Sequence, residues 1–217
     1  ASLVSEMAQI KPDLIFLTEG HVASLESLGG NTLNHRGYRS DHKVDTERLV
    51  SLWSLSPWVE LFVPPELARK GGIVAGETLV RGQAVSCVCI CIPYHMARLP
   101  HESATRPWQH HIEFLEALRP WLKTLAERVS TPLLIAGDFN RRLPSLWGNK
   151  SALVGHQDCF AGFEIPTLGL LEPLKVQTID HAAVRGAKAK RVRLLERREK
   201  DGRPRSDHHG VIIDFEM

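Results

Sequence analysis

Four segments of this chain place a carboxylate at one end of an apolar run. Residues 133–136 lead into Gly137-Asp138-Phe139-Asn140; Thr178-Ile179-Asp180-His181 and Ser206-Asp207-His208-His209 follow downstream, and residues 13–19 end on Glu19 just before Gly20. Short runs of aliphatic and β-branched residues form buried strands, so each acid should stand where a strand emerges. Converging strand ends make a pocket. A carboxylate there can accept a proton or hold a hard divalent cation, and an amide can donate to a phosphate oxygen without adding negative charge. The combination points to metal-assisted phosphoester hydrolysis. Gly-Asp and Asn also build ordinary turns, and Asp-His pairs also serve as solvated or capping groups. One such tetrapeptide would therefore carry little weight, whereas several in strand-like context carry much more.

The elements that must position these groups read as interleaved strands and helices with a β-rich middle. Leu3, Met7 and Ile10 recur at helical spacing over residues 1–10, and Pro12 ends that helix. Residues 13–19 read as a strand, residues 29–47 as a surface loop rich in Gly, Asn, His and charge, and residues 49–58, 72–80 and 84–93 as further strands. Trp108, Ile112, Leu115, Leu118, Leu122, Leu125 and Val129 form the stripe of an amphipathic helix, which Pro120 should kink or split. A strand at 133–136, a loop from Arg141 to about Gly162, a strand ending in Asp180 and a final strand at 210–215 complete the reading. Arg106-Pro107-Trp108 reads as packing at the helix start.

At 217 residues and 43% hydrophobic content the chain suits one domain with a substantial core. A formal charge of +2 is too mild to establish nucleic-acid binding, though it would not repel phosphate. Ten Lys or Arg residues crowd positions 185–205, yet Val192, Leu194 and Leu195 interrupt them and Glu196, Glu199 and Asp201 partly neutralise them. A solvated strand and hairpin is the plain reading, with a nucleic-acid track as the alternative. Cys87, Cys89 and Cys91 alternate along one strand face, with Cys159 alone elsewhere, so reduced core thiols and a reducing, cytoplasmic setting are expected. No apolar run reaches the length of a membrane span.

Taken in order, the segments Pro12–Glu19, Ile135–Asn140, Ile179–His181 and Ser206–His208 resemble the endonuclease/exonuclease/phosphatase superfamily over nearly the whole chain. The resemblance implies an α/β (α+β) four-layer sandwich: two mainly antiparallel sheets packed face to face, with flanking helices and one divalent-metal site at the strand ends. By the same resemblance Glu19 binds a magnesium or manganese ion and Asp207 lies near it, directly or through water. Asp138 orients or deprotonates the attacking water, and Asn140 holds the phosphate and that nucleophile. Asp180 pairs with His208, which contacts the phosphoryl oxygen; Tyr94 or His95 falls where the family often contacts phosphate. His181 and His209 take no catalytic role and read as structural.

The family normally begins with a strand bearing an asparagine that helps organise the metal site, and this chain starts after it, so the N-terminal strand is expected to be missing from a single domain over 1–217. The expected activity is hydrolysis of phosphodiester bonds by a nuclease-like monomer, with DNA or RNA as the leading phosphate-ester partner. Two alternatives stand beside it: a phosphatase or phospholipid or sugar-phosphate phosphodiesterase of the same fold, and a non-catalytic domain that binds nucleic acid through the basic 185–205 face.

Overall fold

The alternating apolar residues in the middle of the chain become strands that bury both faces. The computed structural model describes residues 3–36, 47–98, 102, 105–145, 148–198 and 201–216. In chain order the elements are α1 (Leu3–Ile10), β1 (Leu14–His21), α2 (Val22–Glu26), β2 (Asn31–His35), β3 (Glu47–Ser54), β4 (Val59–Glu60), α3 (Pro65–Ala68), β5 (Gly72–Val80), β6 (Gln83–Cys91), α4 (Gln109–Arg128), β7 (Leu133–Asp138), α5 (Lys150–Cys159), β8 (Asp180–Arg185), β9 (Lys188–Leu195) and β10 (Gly210–Glu216).

One sheet runs β4-β5-β6-β7-β8, antiparallel except for the parallel pair β6 and β7. Facing it are a three-stranded sheet, β1-β3-β2, and the hairpin β9–β10. The sandwich expected from the sequence is present, with its second layer built as two ladders among the described residues rather than one continuous sheet. Cys87, Cys89 and Cys91 all point into the core between the layers, beside Leu49, Leu52, Val74, Leu134 and Val184. All are free thiols.

The other face of the five-stranded sheet, carrying Ile73, Val88, Ile90 and Ile135, packs on α4 through Phe114, Leu115, Leu118 and Leu122. Each of those large side chains is essentially out of water. At about 1.5–3 kcal/mol per fully buried side chain, this stripe outweighs the weak helix propensity around Pro120. Of the kink or split expected at Pro120, the split does not occur, and the helix runs unbroken through it; Thr124 Oγ1 donates to the Pro120 carbonyl at 3.1 Å.

Two stretches expected to be loops contain elements. Within 29–47, Asn31–His35 forms β2, because it pairs with β3 from Asn31↔Ser54 to His35↔Val50; residues 37–46 lie outside the described residues. Within 141–162 lies α5, whose N-cap Asn149 accepts from the Ala152 backbone N–H at 3.1 Å. It packs on α4, where a Cβ at Gly155 would stand 3.1 Å from Leu115 Cδ1. Asp180 opens β8 instead of ending a strand.

Candidate active site

The last residues of β6 and β7 and the first of β8 meet at one edge of the sandwich because β6 and β7 are parallel and β8 runs antiparallel to β7. Cys91 registers with Asp138, and Asp138 with Asp180, so the last residue of β7 and the first of β8 bring two carboxylates together across the sheet. The chain past β7 is held on both sides: Ile92 N–H donates to the Asp138 carbonyl at 2.8 Å and Phe139 N–H to the Ile179 carbonyl at 2.9 Å. His208, just ahead of β10, approaches the same point. Its Nδ1 donates to Asp180 Oδ2 at 3.1 Å, and its Nε2 lies 3.9 Å from Asp138 Oδ2 and 3.3 Å from Asp207 Oδ1.

Burial and the Asp180 charge push the Asp138 carboxyl up to about 7, against the pull of His208 and of the Asn140 N–H. Burial likewise raises Asp180. The hydrogen bond to Asp180, with the nearby carboxylate charges, pushes His208 up to about 9 in spite of its desolvation. Near neutral pH the site therefore couples a carboxyl that can exchange a proton with an imidazolium.

Asn140 fixes the orientation of Asp138. Its backbone N–H donates to Asp138 Oδ1 at 2.7 Å, and its Nδ2 donates to Asp138 Oδ2 at 2.9 Å and to the Ile92 carbonyl at 2.8 Å. Both amide hydrogens point at groups that only accept, which leaves Oδ1 as the amide atom without a hydrogen-bond duty inside this turn. In this turn the Asn140 amide clamps a carboxylate. Asn140 sits at φ 50° and Glu19 at φ 51°, left-handed conformations that non-glycine residues adopt where surrounding structure dictates them.

Gly137 is required by the same geometry. It has φ 140°, and a Cβ there would lie 2.0 Å from the Ile90 carbonyl oxygen of the parallel neighbour strand. Gly137→Ala is expected to cost at least about 2 kcal/mol, lowering the melting temperature by roughly 4–8 °C. A calorimetric midpoint within 1 °C of wild type would contradict that steric account.

The other expected residues are distributed around this centre. Glu19, near the end of β1, is close enough for its charge to help raise Asp138 and the buried Cys91 thiol. Asp207 is 88% exposed and faces His208 Nε2. Among the described residues, Asp138, Asp180 and His208 form a group whose ligand atoms all lie within 4.8 Å of one another; Glu19 and Asp207 fall outside it. Asp180 Oδ1 is buried with no hydrogen-bond partner among the described residues, and the oxygen-rich surroundings suit a hard divalent cation. Tyr94 and His95 are exposed in the turn after β6, and Arg106 is exposed ahead of α4. Trp108 lies under the Arg141 guanidinium, 5.3 Å from Cζ to the ring centroid.

Behind the catalytic turn lies a layer of polar residues, of which the sequence points only to His181, as a structural residue. His181 and Thr167 are buried under the turn, and His111 joins His156 through Nε2 to Nε2 at 2.9 Å beside Phe139. Burial holds both His111 and His181 down to about 4, so they remain neutral. The signal available was an Asp-His pair at the start of a strand, where period two must send the second side chain to the opposite face.

The basic 185–205 stretch forms β9 and the turn after it, in agreement with the solvated hairpin. Four of its ten Lys and Arg residues stand in ion pairs. Lys190 pairs with Glu216 at 3.2 Å, Arg193 with Asp214 at 3.5 Å, Arg203 with Asp201 at 2.8 Å, and Arg205 with Glu6. Glu199 and Lys200 lie outside the described residues.

No family model matches the sequence, and no curated protein matches it. Solved structures do match the fold. The 3' phosphatase NExo from Neisseria, bound to a product DNA hairpin, superposes with a TM-score of 0.68 at 19% identity, covering 100% of this chain and 96% of that one. A mannosyl-6-phosphatase from Bacteroides thetaiotaomicron gives 0.65 at 15% identity over 99% and 89%. A protein from Leptotrichia buccalis, assigned to the endonuclease/exonuclease/phosphatase family, gives 0.58 at 14% identity over 99% and 91%. No helix among the described residues is long and apolar enough to cross a membrane.

Proposed function

Because the chain has the sandwich fold of the endonuclease/exonuclease/phosphatase proteins, we propose that it is a divalent-metal-dependent phosphoester hydrolase of nuclease-like type. The observation that carries this reading is the Asp138–Asp180–His208 cluster with Asn140 fastened to Asp138. Poised near 7, Asp138 accepts a proton from an attacking water. Asn140 keeps that carboxylate from rotating, and its Oδ1, which takes no hydrogen bond within the turn, can help orient the same water. His208, kept charged by Asp180, donates to a phosphoryl oxygen where negative charge accumulates. Water attacks phosphorus directly, with no covalent intermediate on the protein. Glu19 would hold a magnesium or manganese ion, with Asp207 close by; such an ion supplies charge neutralisation at the phosphoryl group.

The fold is shared by a phosphatase found with a DNA hairpin and by one named for a mannosyl phosphate, so phosphomonoesters stand beside nucleic-acid diesters as substrates to test. The pairs that engage Lys190, Arg193 and Arg203 reduce the net charge of the basic face that the non-catalytic nucleic-acid-binding alternative would use.

A direct test measures hydrolysis of a chromogenic phosphodiester, a sugar monophosphate, and labelled single- and double-stranded DNA and RNA, in magnesium, manganese or chelator. Turnover that needs the ion is expected, and the substrate profile then separates nuclease from phosphatase. Nucleic-acid binding that persists in chelator, without turnover of any ester under either metal, would replace the enzyme reading with the binding one.

A further inference from the structure

We propose that His181, with Thr167, is a positioning residue that holds the catalytic turn in its strained shape; the inference rests on the phosphoesterase reading above. β8 delivers two polar residues in succession, and alternation sends Asp180 to the cleft and His181 to the helix side, where its ring stands 5.4 Å from that of Phe139. His181 is 1% exposed and Thr167 is 0% exposed. His181 Nε2 lies 3.0 Å from the Arg141 carbonyl oxygen, and its Nδ1 lies 2.9 Å from Thr167 Oγ1.

The chemistry of these partners leaves one arrangement. A carbonyl only accepts, so Nε2 carries the ring hydrogen, and Nδ1 of the neutral ring accepts from the Thr167 hydroxyl. Thr167 Oγ1 in turn accepts from the Ala182 backbone N–H at 3.2 Å. A continuous line of donors therefore runs from the backbone of β8, through Thr167 and His181, to the Arg141 carbonyl. That carbonyl belongs to the residue after Asn140, whose φ is 50°. A left-handed asparagine persists where its neighbours over-determine it, and this bond secures the C-terminal side of the turn. Asn140 orients Asp138 through its own N–H and Nδ2. His181 thus acts on Asp138 through Asn140, without touching substrate. A ring serving only to fill space would need none of these directed bonds, and phenylalanine would replace it.

The experiment compares kcat and KM of wild type with His181→Phe, His181→Gln, Thr167→Val and Thr167→Ser, on whichever ester wild type hydrolyses, well below the lowest melting midpoint. Loss of the clamp displaces the nucleophile's partner rather than the substrate's binding surface. His181→Phe should therefore lower kcat about 100-fold with KM within about twofold. His181→Gln, whose amide N–H can reach the Arg141 carbonyl, should recover roughly tenfold of that loss, and Thr167→Val should lose about tenfold, most of it restored by Thr167→Ser. A folded His181→Phe with wild-type kcat, or a glutamine variant no better than phenylalanine, overturns the proposal. Should His181→Phe fail to fold, Thr167→Val decides alone: unchanged kcat overturns the clamp and a kcat-only loss supports it.

Wild type and Asp138→Ala run in parallel separate the two readings. If neither hydrolyses any ester, the enzyme reading fails, and the imidazole 15N shifts of wild-type His181 then judge the clamp. Hydrogen on Nε2 with a bare Nδ1 supports it, and the reverse tautomer overturns it.

Discussion

Asp138→Ala is expected to lower kcat by about 10²–10⁴-fold, the range by which a positioned general base accelerates proton transfer, with little change in substrate affinity. Asp138 is the residue on which the site converges. It is 4% exposed, receives two hydrogen bonds from Asn140, stands opposite Asp180 across the β7–β8 ladder and faces His208. The same placement has a thermodynamic signature that can be read without substrate. With its folded pKa raised to about 7 from an unfolded value near 3.8, the Asp138 carboxyl binds its proton more tightly in the folded state. Its favourable contribution to stability is full below the unfolded value, and it is lost as pH rises through 4 to 7. His208 adds a contribution of the same slope at higher pH: raised from 6.5 to about 9, it favours the fold below 6.5 and ceases to do so as pH climbs through 9. The metal-free protein should therefore become less stable from pH 5 to pH 9, and a saturating divalent ion that binds only the folded state should offset that decline. Asp138→Asn, which cannot ionise, should flatten the slope between pH 4 and 7. Equal slopes in chemical denaturation of wild type and Asp138→Asn would show that Asp138 is not the perturbed carboxyl, whatever the kinetic result.

How much of this was legible in the sequence depended on whether burial or pairing decides each element. β5, β6 and β7 carry long apolar runs, so their hydrophobic pattern nearly fixes their extent; β5 coincides with the expected 72–80. β2 reads Asn-Thr-Leu-Asn-His, with one apolar residue, and is a strand because β3 offers it an edge. That is tertiary information, absent from a local pattern. α5 was hidden differently. Its buried positions, Ala152, Leu153, His156 and Cys159, keep helical spacing, but the stripe includes a histidine and Gly155 interrupts it. Asn149 as an N-cap was the available clue. In the site, residue identities were visible, since Asp138, Asn140, Asp180 and His208 all meet at one sheet end. Their mutual arrangement was not. No spacing rule says that Asp138 and Asp180 face each other, that the Asn140 amide is spent on Asp138 and Ile92, or that His181 turns to the far side of β8 to hold Arg141. Those facts follow from the antiparallel register and from the local turn after β7.

His208→Ala is expected to reduce kcat by about 10²–10³-fold, as removal of a donor aimed at developing negative charge does elsewhere, and to abolish the alkaline limb of the pH–rate profile. In wild type the profile should be bell-shaped. On the proposed mechanism activity needs Asp138 deprotonated and His208 protonated, so it should rise through about 7 and fall through about 9. Because the two groups interact, these limbs belong to the coupled cluster and report its macroscopic titration. A cation held nearby favours the ionised carboxylate, so the acid limb should move below 7 as the metal site fills, while the alkaline limb, set mainly by the bond to Asp180, should move less. Asp180→Asn tests that division of labour. It removes the charge that holds His208 up while leaving a side chain of similar shape, so the alkaline limb should shift from about 9 toward the ordinary histidine value of 6.5. His208 would then be largely neutral at pH 8, and the variant should lose most activity there while retaining more near pH 6.5, where the imidazole is still partly charged. An alkaline limb that stays near 9 in both His208→Ala and Asp180→Asn would assign the limb to another group and would remove His208 as the donor to the phosphoryl oxygen.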